Sequence, residues 1–220
     1  MNCNFRRWTI ALLCFALALS ALACGQGSNS NSGADGDAES ANVKTGVKPE
    51  ADTEAAIIET DFGRIVIELY PNLAPQMVAR FKKLAGEGFY NGTAIHRIDP
   101  ELGIIQGGDP NSKDNDPAND GMGSSSEPNL PAEFSDIEYE RGTVGAARSQ
   151  SEDSANSQFY VTLKRQPAFD RRYTVFGRVI EGIGNADIIS TAPLAEGTQD
   201  RPADKIIVKN ITLAPRANFK

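Results

Sequence analysis

His96 and Arg97 form the most chemically loaded dipeptide of the chain, followed by Gln106, Gly107, Gly108 and Asp109. His96 is the single histidine in 220 residues. A Ser-His-Asp relay, a Cys-His pair or a multi-histidine zinc site therefore has no material unless that one residue serves. The three cysteines, Cys3, Cys14 and Cys24, all fall within the first 24 residues. Any domain beyond them has no intramolecular disulfide and no thiolate metal site. Asp116 to Glu127 meets calcium-loop spacing at positions 1, 5, 6 and 12. Ala118 occupies the third position, however, and Pro117 and Pro128 disfavour flanking helices, so the stretch reads as an Asp/Asn/Gly-rich loop. No metal and no cofactor is expected. An arginine, by contrast, carries a permanent charge on a rigid fork of donors and can polarise a bound group without being consumed.

Charge narrows the partners. There are 22 Lys+Arg against 29 Asp+Glu, a net charge of −7, and loss of the segment holding Arg6 and Arg7 makes the remainder more acidic still. Such a surface repels phosphate backbones, and nucleic acid is not an expected partner.

The front of the chain reads as an address. Arg6 and Arg7 precede an uncharged apolar run from Trp8 to Ala23, 16 residues long. That length suits a signal-peptide core and is short of the roughly 20 residues that span a bilayer. The run ends Ser20-Ala21-Leu22-Ala23-Cys24, which resembles a bacterial lipobox whose cysteine is acylated, although Ala21 stands where that pattern prefers Leu. Residues 1–23 are thus expected to be a signal peptide and Cys24 a lipidation site, with ordinary secretion after Ala21-Leu22-Ala23 as the alternative. Residues 24–55 are Ser, Asn, Gly, Asp and Ala with almost no large apolar residue. They read as a flexible tether with a reach of roughly 30 Å. The chain is expected to be exported across a bacterial cytoplasmic membrane and held by lipid at the cell membrane or the outer membrane, facing periplasm or exterior.

The folded domain is expected over 56–220, long enough for one well-buried core and short for two. Ile57–Thr60 and Arg64–Tyr70 are β-branched runs joined by Asp61-Phe62-Gly63, a hairpin pattern. Ala74, Met77, Val78, Phe81, Leu84 and Ala85 recur at helical spacing, with Pro75 in the first turn and Gly86 past the end. Further strands are expected near 104–106, 142–147, 158–163, 173–180 and 205–213, and a second helix near 184–190. Short strands parted by turn-rich loops, with only two helices, point to a barrel or sandwich.

Five segments in register resemble the cyclophilin family: Tyr90-Asn91-Gly92 to His96-Arg97, Gln106-Gly107-Gly108-Asp109, Gly142 to Ser149, Ser157-Gln158-Phe159-Tyr160-Val161, and Phe169-Asp170 to Val179. The resemblance spans about 57–213 and implies a closed eight-stranded antiparallel β-barrel capped by two α-helices. The implied activity is peptidyl-prolyl cis–trans isomerisation on proline-containing polypeptide clients, by a monomer. Carried over position by position, Arg97 is the catalytic group. Gln106 binds the substrate backbone, and Ile104, Tyr160 and Phe169 form the proline pocket with Tyr173 at its rim. Ala147 lines the adjoining groove, and His96, beside the arginine, belongs to the substrate-binding set without a proton-transfer role. Asp109 reads as a turn or cap residue.

The chain also departs from the family pattern. Ile95 replaces a Phe, Ala146 replaces a Met, and the stretch between Arg97 and Gln106 is one residue longer, so that the pocket phenylalanine falls on Leu102 or Gly103. A shallower pocket is the expected consequence. The rival reading is a non-catalytic module that holds proline-containing segments.

Overall fold

The computed structural model describes residues 43–220. The apolar run, Cys24 and the first part of the tether lie outside the described residues. Antiparallel pairing and β-branched content build nine strands: β1 (Glu54–Thr60), β2 (Gly63–Leu69), β3 (Ala94–Ile95), β4 (Arg97–Asp99), β5 (Ile104–Gly107), β6 (Thr143–Ala146), β7 (Phe159–Thr162), β8 (Val175–Glu181) and β9 (Ile206–Pro215). Among the described residues there are two α-helices, α1 (Pro75–Gly86) and α2 (Ile183–Ser190). The β1–β2 hairpin closes where Thr60 pairs with Gly63, and the Thr60 hydroxyl donates to the Gly63 carbonyl at 2.8 Å.

Helix α1 buries Met77, Val78, Phe81, Leu84 and Ala85 on one face, the i, i+3, i+4 stripe its sequence encodes. No side chain of its own caps its first turn. The buried Glu133 carboxylate, from a distant loop, instead accepts from the backbone N–H of Gln76 (3.1 Å) and Met77 (3.0 Å). It thereby satisfies two of the donors that every helix leaves open. Rings of Phe81, Tyr90, Phe159 and Phe176 interlock beneath the helix, with Phe81–Phe159 at 5.4 Å edge-to-face and Phe81–Tyr90 at 5.2 Å. They anchor the main core.

The strand order is β3-β9-β1-β2-β8-β6-β7-β5-β4. This corrects the closed, eight-stranded expectation: nine strands form a mainly β, cyclophilin-like sheet whose ladder is not closed. Its edges, β3 and β4, are parted in the chain by His96 alone. The chain turns there because the two short strands pair with different partners, β3 with β9 and β4 with β5.

The packed domain also begins ahead of residue 56. Lys44 donates its backbone N–H to Phe134 at 2.9 Å and its ammonium to the carbonyls of Leu73 (2.7 Å) and Asn72 (3.2 Å), while Val47 packs against a second, smaller core cluster. Too few large apolar residues mark this stretch for composition to reveal its packing.

Candidate active site

Strand alternation sorts the side chains around this second cluster. On β7, Phe159 and Val161 face the main core and Tyr160 faces the other way; on β5, Ile105 faces the core and Ile104 the other side. Register then does the assembly. Arg97 pairs with Gln106, Gln106 with Tyr160, and Tyr160 with Gly145. One row across four adjacent strands therefore carries the arginine, the glutamine and the tyrosine on the same face. Gly145 is required in that row, since a Cβ there would lie 2.5 Å from the Tyr160 ring and 2.6 Å from the Tyr139 hydroxyl.

The row opens onto a cavity of about 300 Å³ lined by Arg97, Leu102, Ile104, Gln106, Ala147, Arg148, Tyr160, Phe169 and Tyr173. Phe169 meets Tyr173 at 4.9 Å and Tyr160 at 5.6 Å, and Tyr139 stacks behind Tyr160 at 6.0 Å. Burial pushes the Tyr160 hydroxyl well above its ordinary range, so the apolar wall stays uncharged at any working pH.

Sequence reasoning singled out eight residues for catalysis or substrate contact, and seven of them line this one cavity. The eighth, His96, lines a separate cavity with Asp114, Asp120 and Arg201. Leu102 takes the place left open for a ring, while Gly103 turns the chain at φ 63°. Ala146 and Ile95 point into the main core, so neither substitution shapes the pocket. Asp109 caps a 3-10 turn, its Oδ1 accepting from the Asn111 N–H at 2.8 Å.

Arg97 is one-third exposed and held on three sides. Nε donates to Asp200 Oδ2 (2.9 Å), Nη2 to Asp99 Oδ2 (2.6 Å) and Nη1 to Gln106 Oε1 (3.4 Å). One N–H on each terminal nitrogen is left for a bound group. Gln106 is oriented in turn, because its amide donates to Gln158 Oε1 at 3.0 Å and Gln158 donates to the carbonyls of Gly121 (3.0 Å) and Gly123 (2.8 Å).

Asp99, Asp200 and Gln158 are the positioning residues that sequence reasoning missed. Arg97 and Asp99 sit two apart on one strand, a spacing that puts both on one face and was the available signal. Asp99 Oδ1 also accepts from the Leu102 N–H at 2.8 Å, so one carboxylate fixes both the fork and the pocket floor. Asp99→Ala is expected to lower kcat for a proline peptide by about tenfold, with Asp99→Asn retaining most of it; steady-state isomerisation kinetics of both variants check this.

His96 is buried, and neither ring nitrogen has a hydrogen-bond partner. Burial lowers its pKa, against the opposing pull of Asp109 and Asp120. The ring is therefore neutral at pH 7. The unfolded chain, with a histidine pKa of about 6.5, binds the proton that the folded chain resists. Stability is accordingly fully present above about pH 6.5 and is lost as pH falls from there through the lowered folded value. Urea denaturation from about pH 8 to 5 should show that acid-side loss, and His96→Gln should reduce it.

A fork of arginine donors on the rim of a cavity walled by Leu102, Ile104, Tyr160, Phe169 and Tyr173, with no Asp, Glu, His, Cys or Lys in its lining, defines a class: a β-sheet protein with a small apolar pocket beside a fixed hydrogen-bond donor. The comparisons carry this further. Residues 55–213 match the family described as cyclophilin type peptidyl-prolyl cis-trans isomerase/CLD. The chain is 43% identical over 166 residues to the probable peptidyl-prolyl cis-trans isomerase of Brucella suis, covering 73% of this chain and 84% of that one. It is 36% identical over 149 residues to the human peptidyl-prolyl cis-trans isomerase-like 1, covering 68% of this chain and 86% of that one. A Cryptosporidium parvum cyclophilin type isomerase, crystallised in the presence of the dipeptide Ala-Pro, superposes with a TM-score of 0.65 at 26% identity, covering 74% of this chain and 99% of that one. The chain belongs to the cyclophilin family, and it is a peptidyl-prolyl cis–trans isomerase.

Proposed function

We propose that this isomerase turns X-Pro bonds through Arg97, and that it does so outside the cytoplasm on exported clients. The amide C–N bond resists rotation by resonance, with a barrier of about 18–20 kcal/mol, and uncatalysed exchange takes about 10–100 s. As the bond twists, the proline nitrogen pyramidalises and gains a lone pair. A donor placed there stabilises the twisted state more than the planar one, which is what accelerates a reaction. An acceleration of about 10⁵-fold needs roughly 7 kcal/mol. Preorganised donors and a fixed, water-poor pocket supply that order of energy without making or breaking a bond.

The observation that carries the reading is the register row that sets Arg97 beside Gln106 over the apolar cavity. The proline ring fills the space between Leu102, Ile104, Tyr160 and Phe169, Gln106 holds the client backbone, and the two uncommitted Arg97 N–H groups face the proline amide. Acceleration of cis–trans exchange in a short Xaa-Pro peptide by the purified chain tests it; a folded chain that binds the peptide without accelerating exchange is a binding module.

The address is part of the same proposal. The run from Trp8 to Ala23 exports the chain, Cys24 carries lipid, and the domain works as a monomer near a membrane. Labelled palmitate should enter the wild-type chain and not Cys24→Ser, which should leave the membrane fraction. Unlabelled wild type in the soluble exported fraction would point to ordinary secretion.

A further inference from the structure

We infer that Arg148 gives this site a preference for proline segments that carry a carboxylate within three residues of the proline. The inference rests on the reading of the cavity as the proline pocket. Arg148 follows Ala147 at the end of β6, and it lines two cavities at once. One is the pocket; the other, of about 270 Å³, runs on past Met122, Asn129, Ser154 and Asn156. Gln106 and Ala147 are shared as well, so the two form one groove that an extended segment, advancing about 3.3 Å per residue, follows for several residues.

The charge of Arg148 is unmatched. The guanidinium lies 4.5 Å over the Tyr173 ring. It donates to the carbonyls of Arg172 (Nε 3.3 Å, Nη2 3.1 Å), Ser149 (Nη1 3.1 Å) and Gln150 (Nη1 3.3 Å). Every one of these acceptors is neutral. Arg64, Arg97, Arg141, Arg165 and Arg216 each hold an Asp or Glu within ion-pair distance, whereas no carboxylate among the described residues pairs with Arg148. Neither cavity has an Asp or Glu in its lining, on a chain of net charge −7. Arg148 is thus the cation of the groove that carries no carboxylate partner, Arg97 being paired with Asp99 and Asp200, and its guanidinium is pinned by a ring and three carbonyls. Nη2 keeps one N–H uncommitted. A client carboxylate arriving there gains a charge-assisted hydrogen bond to a donor already held in place, and a client lysine meets repulsion.

The test uses the full chain and matched peptides, acetylated and amidated so that the varied residue carries the sole carboxylate. Glu or Gln is placed at each of three positions on either side of the proline, and the ratio of kcat/KM values within each pair is read. Wild type should favour Glu by about fivefold at one or more positions at low ionic strength, a preference that shrinks in about 0.5 M salt. Arg148→Gln should bring the ratio to about one and Arg148→Lys should keep part of it. Because the ratio is taken within each protein, a general loss of activity moves both peptides together. A wild-type ratio near one at every position overturns the inference, as does a preference that survives in Arg148→Gln or is indifferent to salt. Absence of turnover for every Gln peptide overturns the isomerase reading instead.

Discussion

Arg97→Ala is expected to lower kcat/KM for an X-Pro peptide by about 100-fold, the size of effect seen when one preorganised donor is removed from a water-poor site. The loss should fall mainly on kcat, because the ring still has Leu102, Ile104, Tyr160 and Phe169 to bind against. Arg97→Lys should recover little. An ammonium keeps the charge but cannot hold Asp200, Asp99 and Gln106 while presenting further donors at fixed angles. The fold should survive, since the half-exposed Arg97–Asp200 pair costs on the order of 1 kcal/mol to break, and the more buried Asp99 keeps the Leu102 N–H as a donor when the guanidinium is gone. Stopped-flow isomerisation beside a thermal melt checks both halves of the prediction.

The largest effect on stability is expected at Phe159→Ala, at about 3–5 kcal/mol. The ring is 2% exposed and meets Phe81 edge-to-face at 5.4 Å and Tyr90 at 5.9 Å, so its removal empties the centre of the aromatic cluster beneath α1. A domain stable by about 5–15 kcal/mol loses a large share of that margin. The damage also reaches the site, since Tyr160 is the next residue on β7 and belongs to the row that carries Arg97. Urea denaturation midpoints at constant slope measure the cost.

How much of this was legible beforehand depends on whether the cause is local. The β1–β2 hairpin and α1 could be read because β-branched runs around Asp61-Phe62-Gly63, and an apolar stripe from Met77 to Ala85, encode them without reference to the rest of the chain. Arg97, Gln106, Tyr160 and Phe169 were legible through family motifs, and strand register explains why residues so far apart converge. Asp200 was not, because it reaches Arg97 from 103 residues away, and nothing in its neighbourhood marks it. Asp99 was within reach of a period-two argument, as was the inward direction of Ala146 once Ala147 was assigned to the groove. Single anchoring residues escape composition altogether: Lys44 and Val47 attach a polar stretch through a few bonds and one methyl pair. The split of β3 from β4 at His96 depends on which strand each half finds, a property of the whole sheet.

Accelerating rotation and merely holding the client are separable roles for Arg97. On-enzyme NMR exchange between cis and trans resonances, with wild type and Arg97→Ala each saturated by one Xaa-Pro peptide, separates the two contributions. Both proteins should saturate similarly, with on-enzyme exchange about 100-fold slower in Arg97→Ala. Exchange at the wild-type rate in the saturated variant would contradict the accelerating role, leaving the pocket as the source of the acceleration and the arginine as a bystander.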